Sequence, residues 1–222
     1  MSTSLMDLLS PSSGSSDGGG GSQESGRFYG VVMGIVTNNQ DPNNMARVRI
    51  KFPWLSDDNE SWWARIATPM AGGGRGVYFL PEVNDEVLVA FEHGNPDTPY
   101  VLGGLWNGQD KPPESNSDGK NDQRVIRSRS GNVIRLSDTE GDARIEIVDS
   151  SGKNTIVIST KDNSVTITAT GDVTIKAGGT LTLSGNGVEI TSTSGVKVEG
   201  SQGLDLKSPG QVNIKGSVVN IN

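Results

Sequence analysis

From Val165 to the end of the chain, an aliphatic–polar–aliphatic triplet recurs about every eight residues, with glycine-bearing gaps between. Triplets begin at Val165, Val173, Leu181, Val188, Val196, Leu204, Val212 and Val219; the step shortens to seven at Leu181→Val188 and at Val212→Val219. A fixed short period is the mark of stacked repeats. In each triplet the first and third residues share one face of a strand and the middle one takes the other. The expected inward set is Val165 and Ile167, Val173 and Ile175, Leu181 and Leu183, Val188 and Ile190, Val196 and Val198, Leu204 and Leu206, and Val212 and Ile214. Between them stand Thr166, Thr174, Thr182, Glu189, Lys197, Asp205 and Asn213. Glycines turn the chain at the corners, where positive φ costs them little.

Composition decides what such a repeat can bury. Aromatics make up 5% of the chain, and every Trp and Phe lies before residue 110. The repeat therefore has no large side chains with which to close a core of its own. Two arrangements fit: a single-chain solenoid with three octads per coil, or three chains wound about one axis, each supplying one wall per level. A single-chain solenoid needs a terminal cap, and the sequence runs out at "VVNIN" without one. Two aliphatics per strand suit a thin prism filled from three sides, which favours the homotrimer. At about 4.8 Å per octad the needle would be on the order of 40 Å long.

The rest of the chain reads as three parts. Residues 1–26 are a flexible tail: "TSLMDLLS" offers one amphipathic turn with Leu5, Leu8 and Leu9 on a face, followed by a Gly/Ser linker. Residues 27–106 carry short strands separated by turn signals, which predicts a small closed barrel. Here "YGVVMGIVTNN" reads as a strand broken near Gly34, and "ARVRIKF" alternates, with Val48, Ile50 and Phe52 on one side. Residues 107–124 are a polar connector, and the needle runs over 125–222, with wider-spaced strands before Val165.

Several functions are disfavoured. A formal net charge of −7 argues against general nucleic-acid binding. With no cysteine and a single histidine, His93, the chain holds neither a thiolate nor a multi-histidine metal site, and no cofactor is expected. "AGGGRG" (71–76) lacks the Lys-Ser/Thr ending of a phosphate loop and reads as a barrel turn. Arg47, Arg49 and Lys51 beside Trp54 and Trp62 resemble a single-strand-binding face, but a solvated or partner-facing edge is the plainer reading. Asp85 and Glu86 are adjacent in a strand and point to opposite faces, so they make no carboxylate pair. No catalytic residue is assigned.

The motifs "RVRIKFPW", "WWARIATPMAGGGRG", "PEVNDEVLVAFEHGNPDTPYVLGGLWNG" and the following "KPP" cover residues 30–113 almost continuously. This stretch resembles the OB-fold domain of phage baseplate assembly protein V and of VgrG-type spikes. One departure is Asn84, where that family usually has Gly; Asn tolerates the left-handed conformation such a turn needs. The resemblance implies an all-β protein: a small OB-fold barrel followed by an intertwined triple-stranded β-helix, assembled as a homotrimer. It implies a non-enzymatic central spike in the baseplate of a phage or phage-tail-like particle, assembled in the bacterial cytoplasm and meeting the target envelope only transiently. The expected partners are two further copies, a separate hub protein met by Leu5, Leu8 and Leu9, and a PAAR-type tip protein met by Val218, Val219 and Ile221. A metal-binding His-x-His tip is not expected, because the tail has no histidine. The alternative is a β-solenoid adhesin or carbohydrate-acting protein with an appended OB-fold module.

Overall fold

A computed structural model describes residues 26–55 and 59–220. The N-terminal leucines Leu5, Leu8 and Leu9, and Ile221 near the other end, lie outside the described residues. The described chain divides into two units, one ending at Thr168 and the other beginning at Ala169.

The first unit opens with β1 (Val31–Asn38), β2 (Arg49–Lys51), β3 (Arg65–Ile66), the hairpin β4 (Ala71–Gly72) and β5 (Arg75–Gly76), β6 (Glu86–Phe91) and β7 (Pro99–Gly104). Five of these form one sheet in the order β2-β1-β6-β7-β3, with β3 parallel to β7 and the other pairings antiparallel. Register shifts between Val36 and Asn38 in β1 and between Leu88 and Val89 in β6 are points where extra residues bend a strand and curl a sheet. Alternation then sends Val36, Val48, Ile50, Phe52, Val87, Val89, Phe91 and Val101 into one core, joined by Ala64. This is the "ARVRIKF" alternation as expected from sequence.

β1 is not broken at Gly34. It runs through without interruption, pairing Met33 with Leu88 and Gly34 with Val87. The glycine serves packing instead: a Cβ there would lie 2.3 Å from Ile50 Cγ2. A residue that reads as a strand breaker is the small contact that lets β2 fold over β1.

Beyond the connector come β8 (Gln123–Arg127), β9 (Val133–Ser137), β10 (Arg144–Val148), β11 (Thr155–Ser159) and β12 (Ser164–Thr168). They form a simple antiparallel meander, each strand paired with the next. The first octad strand, with Val165 and Ile167, is thus the last strand of this sheet. Beyond it the pattern changes: among the described residues of the second unit none lies in a strand. Glycine-bearing bends recur there between extended stretches.

Candidate assembly surface

The meander has two unlike faces, and its register shows why. Cross-strand partners align Ile126, Ile134, Ile147, Ile156 and Ile167 in one row. A second row aligns Leu136, Ile145, Ile158 and Val165. Both rows lie on the same face, and every side chain in them is between 39% and 66% exposed. Soluble proteins rarely leave a contiguous aliphatic face of this size open. The five strands pair with one another within one chain, yet among the described residues nothing covers the face that should be the sheet's core.

The other face mixes half-buried Val125, Val133, Val148 and Val157 with charged groups that neutralise one another. Glu146 accepts hydrogen bonds from Arg135 Nη1 at 3.1 Å and Arg144 Nε at 2.6 Å, and Arg144 also pairs with Asp142. Arg135 reaches the connector through Glu114 at 3.0 Å. Burial pushes the Glu146 carboxyl up, but the hydrogen bonds and charges of Arg144 and Arg135 outweigh it and hold the group below its usual range.

In the second unit the paired aliphatics from Val173 and Ile175 to Val212 and Ile214 are all between 54% and 69% exposed. Val218 and Val219 are exposed as well. Among the described residues no backbone–backbone hydrogen bond joins groups between Gly171 and Asn220. Extended backbone with neither ladder partners nor a covered side is an unfinished element, because both its amides and its aliphatics need partners. Sequence periodicity picked out the octad residues; it passed over Ile126, Ile134, Leu136, Ile145, Ile147, Ile156 and Ile158. A partial signal was available in "IRL" and "IEI", which alternate with period two, whereas "IVI" is apolar throughout.

The basic strand face resolves differently from its sequence pattern. Arg47 makes a bidentate pair with Asp41, Nε to Oδ2 and Nη2 to Oδ1, both at 2.8 Å. Arg49 pairs with Glu60 at 2.6 Å. Both guanidinium groups stand over the ring of Trp63, at 6.0 and 5.6 Å from its centroid. Trp54 turns away to pack on Phe28 at 5.2 Å between centroids. Two of the three cations are thereby paired with carboxylates and an aromatic face, which leaves little free charge for a phosphate backbone.

Asp41 is the anchor of its turn. Its carboxylate also accepts the backbone N–H groups of Asn43 and Met45, each at 3.0 Å, and its side chain is nearly fully buried. The Arg47 hydrogen bond, helped by those N–H groups and opposed by burial, holds the acid far below the usual carboxylate range.

The remaining polar candidates have structural work. Asp85 Oδ2 accepts the Glu82 N–H at 2.8 Å and closes the turn in which Asn84 adopts φ 80°. Glu86 accepts a hydrogen bond from Asn107 Nδ2 at 3.0 Å. His93 takes φ 50° in a single 3₁₀ turn, Glu92–Gly94, and its carbonyl accepts from Arg27 Nη1 at 3.1 Å. "AGGGRG" is the β4–β5 hairpin, with Ala71 opposite Gly76 and Gly72 opposite Arg75. Exposed Met70, Tyr78 and Phe79 line a cleft beside this hairpin, a feature not read from sequence. Among the described residues no group of acidic or histidine side chains is arranged to hold a metal ion, and no helix is long and apolar enough to cross a membrane.

This curled sheet is an OB domain of injector type: residues 32–106 match the model of the Type VI secretion system/phage-baseplate injector OB domain. That domain is what the family model matches, and through it the chain is similar to VgrG-type spike proteins. It is 29% identical over 132 residues to the Type VI secretion system spike protein VgrG3 of Vibrio cholerae, covering 55% of this chain and 13% of that protein. It is 34% identical over 125 residues to the spike protein VgrG4b of Pseudomonas aeruginosa, covering 52% and 15%. It is 30% identical over 142 residues to the actin cross-linking toxin VgrG1 of Vibrio cholerae, covering 61% and 12%. The matched part thus spans less than a sixth of each of these relatives.

Proposed function

We propose that this chain is the central spike of a contractile tail or injection-system baseplate, acting mechanically as a homotrimer. The observation that carries this reading is the open aliphatic face of the β8–β12 meander, followed by octads whose aliphatics are equally uncovered. Three copies bring three such faces together around one axis, and each octad then contributes one wall of a triangular β-helix. The inward set is the one expected from periodicity, Val173 and Ile175 through Val212 and Ile214, extended upward by the two rows of the meander.

The mechanism follows from that arrangement. Backbone hydrogen bonds between chains run along the axis and make a stiff rod, and the outward Thr, Ser, Lys and Glu side chains keep its skin polar. Sheath contraction drives this rod through the target envelope; nothing in the reading calls for bond-making chemistry or a cofactor. A hub protein above and a PAAR-type tip protein below are the partners such a rod requires, with Val218 and Val219 among the residues nearest the tip.

Light scattering of the purified full chain tests the reading. The expected mass is three times 23.4 kDa. A folded, soluble monomer would overturn it. Lytic or glycan-cleaving activity in that same sample would favour the carbohydrate-acting alternative.

A further inference from the structure

Similar aliphatic pairs (Val-Ile, Leu-Leu and Val-Val) repeat down the octads, so the inward residues discriminate only weakly between offsets of the three copies. Register is weakly specified wherever a slipped pairing buries the same side chains. The outward residues differ, and they carry the missing information. We propose that Glu189, Lys197 and Asp205 form a charge ladder that sets neighbouring copies one octad apart. The proposal rests on the trimeric reading above.

Three-fold winding places the following octad of another copy below each strand only when the three copies descend in step; a copy that slips along the axis brings a different octad there. Each copy moves to the next wall as it descends one strand spacing. With the copies in step, the strand beneath a given octad on any wall belongs to another copy and is the following octad of the sequence. A single-chain solenoid with three octads per coil would place the third following octad there instead.

The two arrangements give different outward contacts. Offset by one octad, Lys197 of one copy lies between Glu189 and Asp205 of its neighbours, and Glu199 lies beside Lys207. Opposite charges directly across a ladder stabilise it and like charges oppose it. Offset by three, Glu189 faces Asn213, Lys197 faces Thr174 and Asp205 faces Thr182; Lys176 with Glu199 is the one charge pair formed. With no offset every charge faces its own copy, and at an offset of two Glu189 faces Asp205. The one-octad offset has a single adverse contact, Lys207 beside Lys215.

In the structure, side chains two residues apart meet in two of these octads. Lys197 pairs with Glu199 two residues on, and Thr191 Oγ1 donates to Glu189 Oε1 at 3.2 Å. Stacked one octad apart, Lys197 and Glu199 above Asp205 and Lys207 make a two-by-two block in which every nearest neighbour has the opposite sign. The upper octads carry Thr174 and Thr182 at the equivalent position, which tolerate any offset. Register is thus set in the lower octads and transmitted upward.

Because the chain contains no cysteine, inter-chain neighbours can be read by cross-linking. The test uses the full-length chain carrying Thr174→Cys and Thr182→Cys, treated with a short bifunctional thiol reagent and run on a denaturing gel. One-octad neighbours join chains covalently into dimers and trimers; Thr174→Cys alone leaves monomers. Adding Lys197→Glu should cut the cross-linked fraction severalfold. Inverting the whole block, with Glu189→Lys, Lys197→Glu, Asp205→Lys, Glu199→Lys and Lys207→Glu together, should restore most of it. A trimer whose cross-linking is indifferent to Lys197→Glu overturns the ladder and leaves the spike reading standing. A monomer by light scattering overturns the spike reading itself. Should Lys197→Glu yield no soluble trimer, recovery of trimer in the fully inverted variant supports the ladder, and failure to recover overturns it.

Discussion

Gly34 of β1 and Ile50 of β2 approach so closely that a Cβ on the glycine would sit 2.3 Å from Ile50 Cγ2. The contact lies inside the barrel core, where Ile50 is fully buried. Gly34→Ala should therefore force β2 away from β1 and cost about 1–3 kcal/mol. The check is thermal melting followed by tryptophan fluorescence, since every tryptophan lies in the first half of the chain. An unchanged melting temperature would mean that β2 shifts freely and that the contact does not hold the barrel.

Ile175→Asp should prevent assembly. In the trimer it sets three carboxylates around the axis without partners, and desolvating each charge costs several kcal/mol. Thr174→Asp, on the opposite face of the same strand, should leave the trimer mass unchanged. Sedimentation of the two variants side by side distinguishes a face-specific effect from general intolerance to charge.

Ile147→Thr tests the meander face. Ile147 stands between Ile134 and Ile156 in the exposed row. Its replacement keeps β propensity but removes apolar area, at about 1–3 kcal/mol per chain if the face is covered in the trimer. The expected result is a trimer that dissociates at higher protein concentration, with the barrel's own melting unaffected. Equal dissociation for wild type and variant would place the trimer contacts elsewhere.

Acid should loosen the OB domain, and neutral pH should not. Asp41 has its folded-state acidity strengthened by Arg47, so the unfolded chain takes up the proton first. Its stabilisation is complete above the ordinary value of 3.8 and fades as pH falls below it toward the depressed folded value. Melting temperature of the OB domain should fall across that window. Asp41→Asn should be less stable than wild type at pH 7 and should converge with it in acid. Parallel pH profiles for the two proteins would show that the pair with Arg47 contributes nothing.

The barrel was legible in the sequence because its strands alternate cleanly and its turns are marked by Asn, Asp, Gly and Pro. Asn84 at φ 80° fills the place where a left-handed residue was expected. Gly34 misled because a glycine that permits close packing looks in sequence like one that interrupts a strand. The partners of the basic face were not legible for a related reason. Arg47 and Arg49 are spaced as a charged strand face, but their partners Asp41, Glu60 and Trp63 come from two turns brought alongside by the fold. The octads were visible through their period alone. The upper strands were read as part of the needle, yet their aliphatics were not picked out, because their hairpin turns vary in length and break the eight-residue spacing.

The meander pairs its strands within one chain, whereas among the described residues the later octads pair none, and if the proposed trimer forms this difference sets an order of events. Each newly made chain can build its five-stranded sheet from local contacts, which form quickly. Three prefolded platforms then meet by diffusion, so the encounter depends on concentration. Once docked, the trailing octads wind downward like a three-stranded rope, each level templating the next. A rope closed in this way cannot trade one strand for another without unravelling its whole length. In the trimeric arrangement, the spike is thus made once and kept.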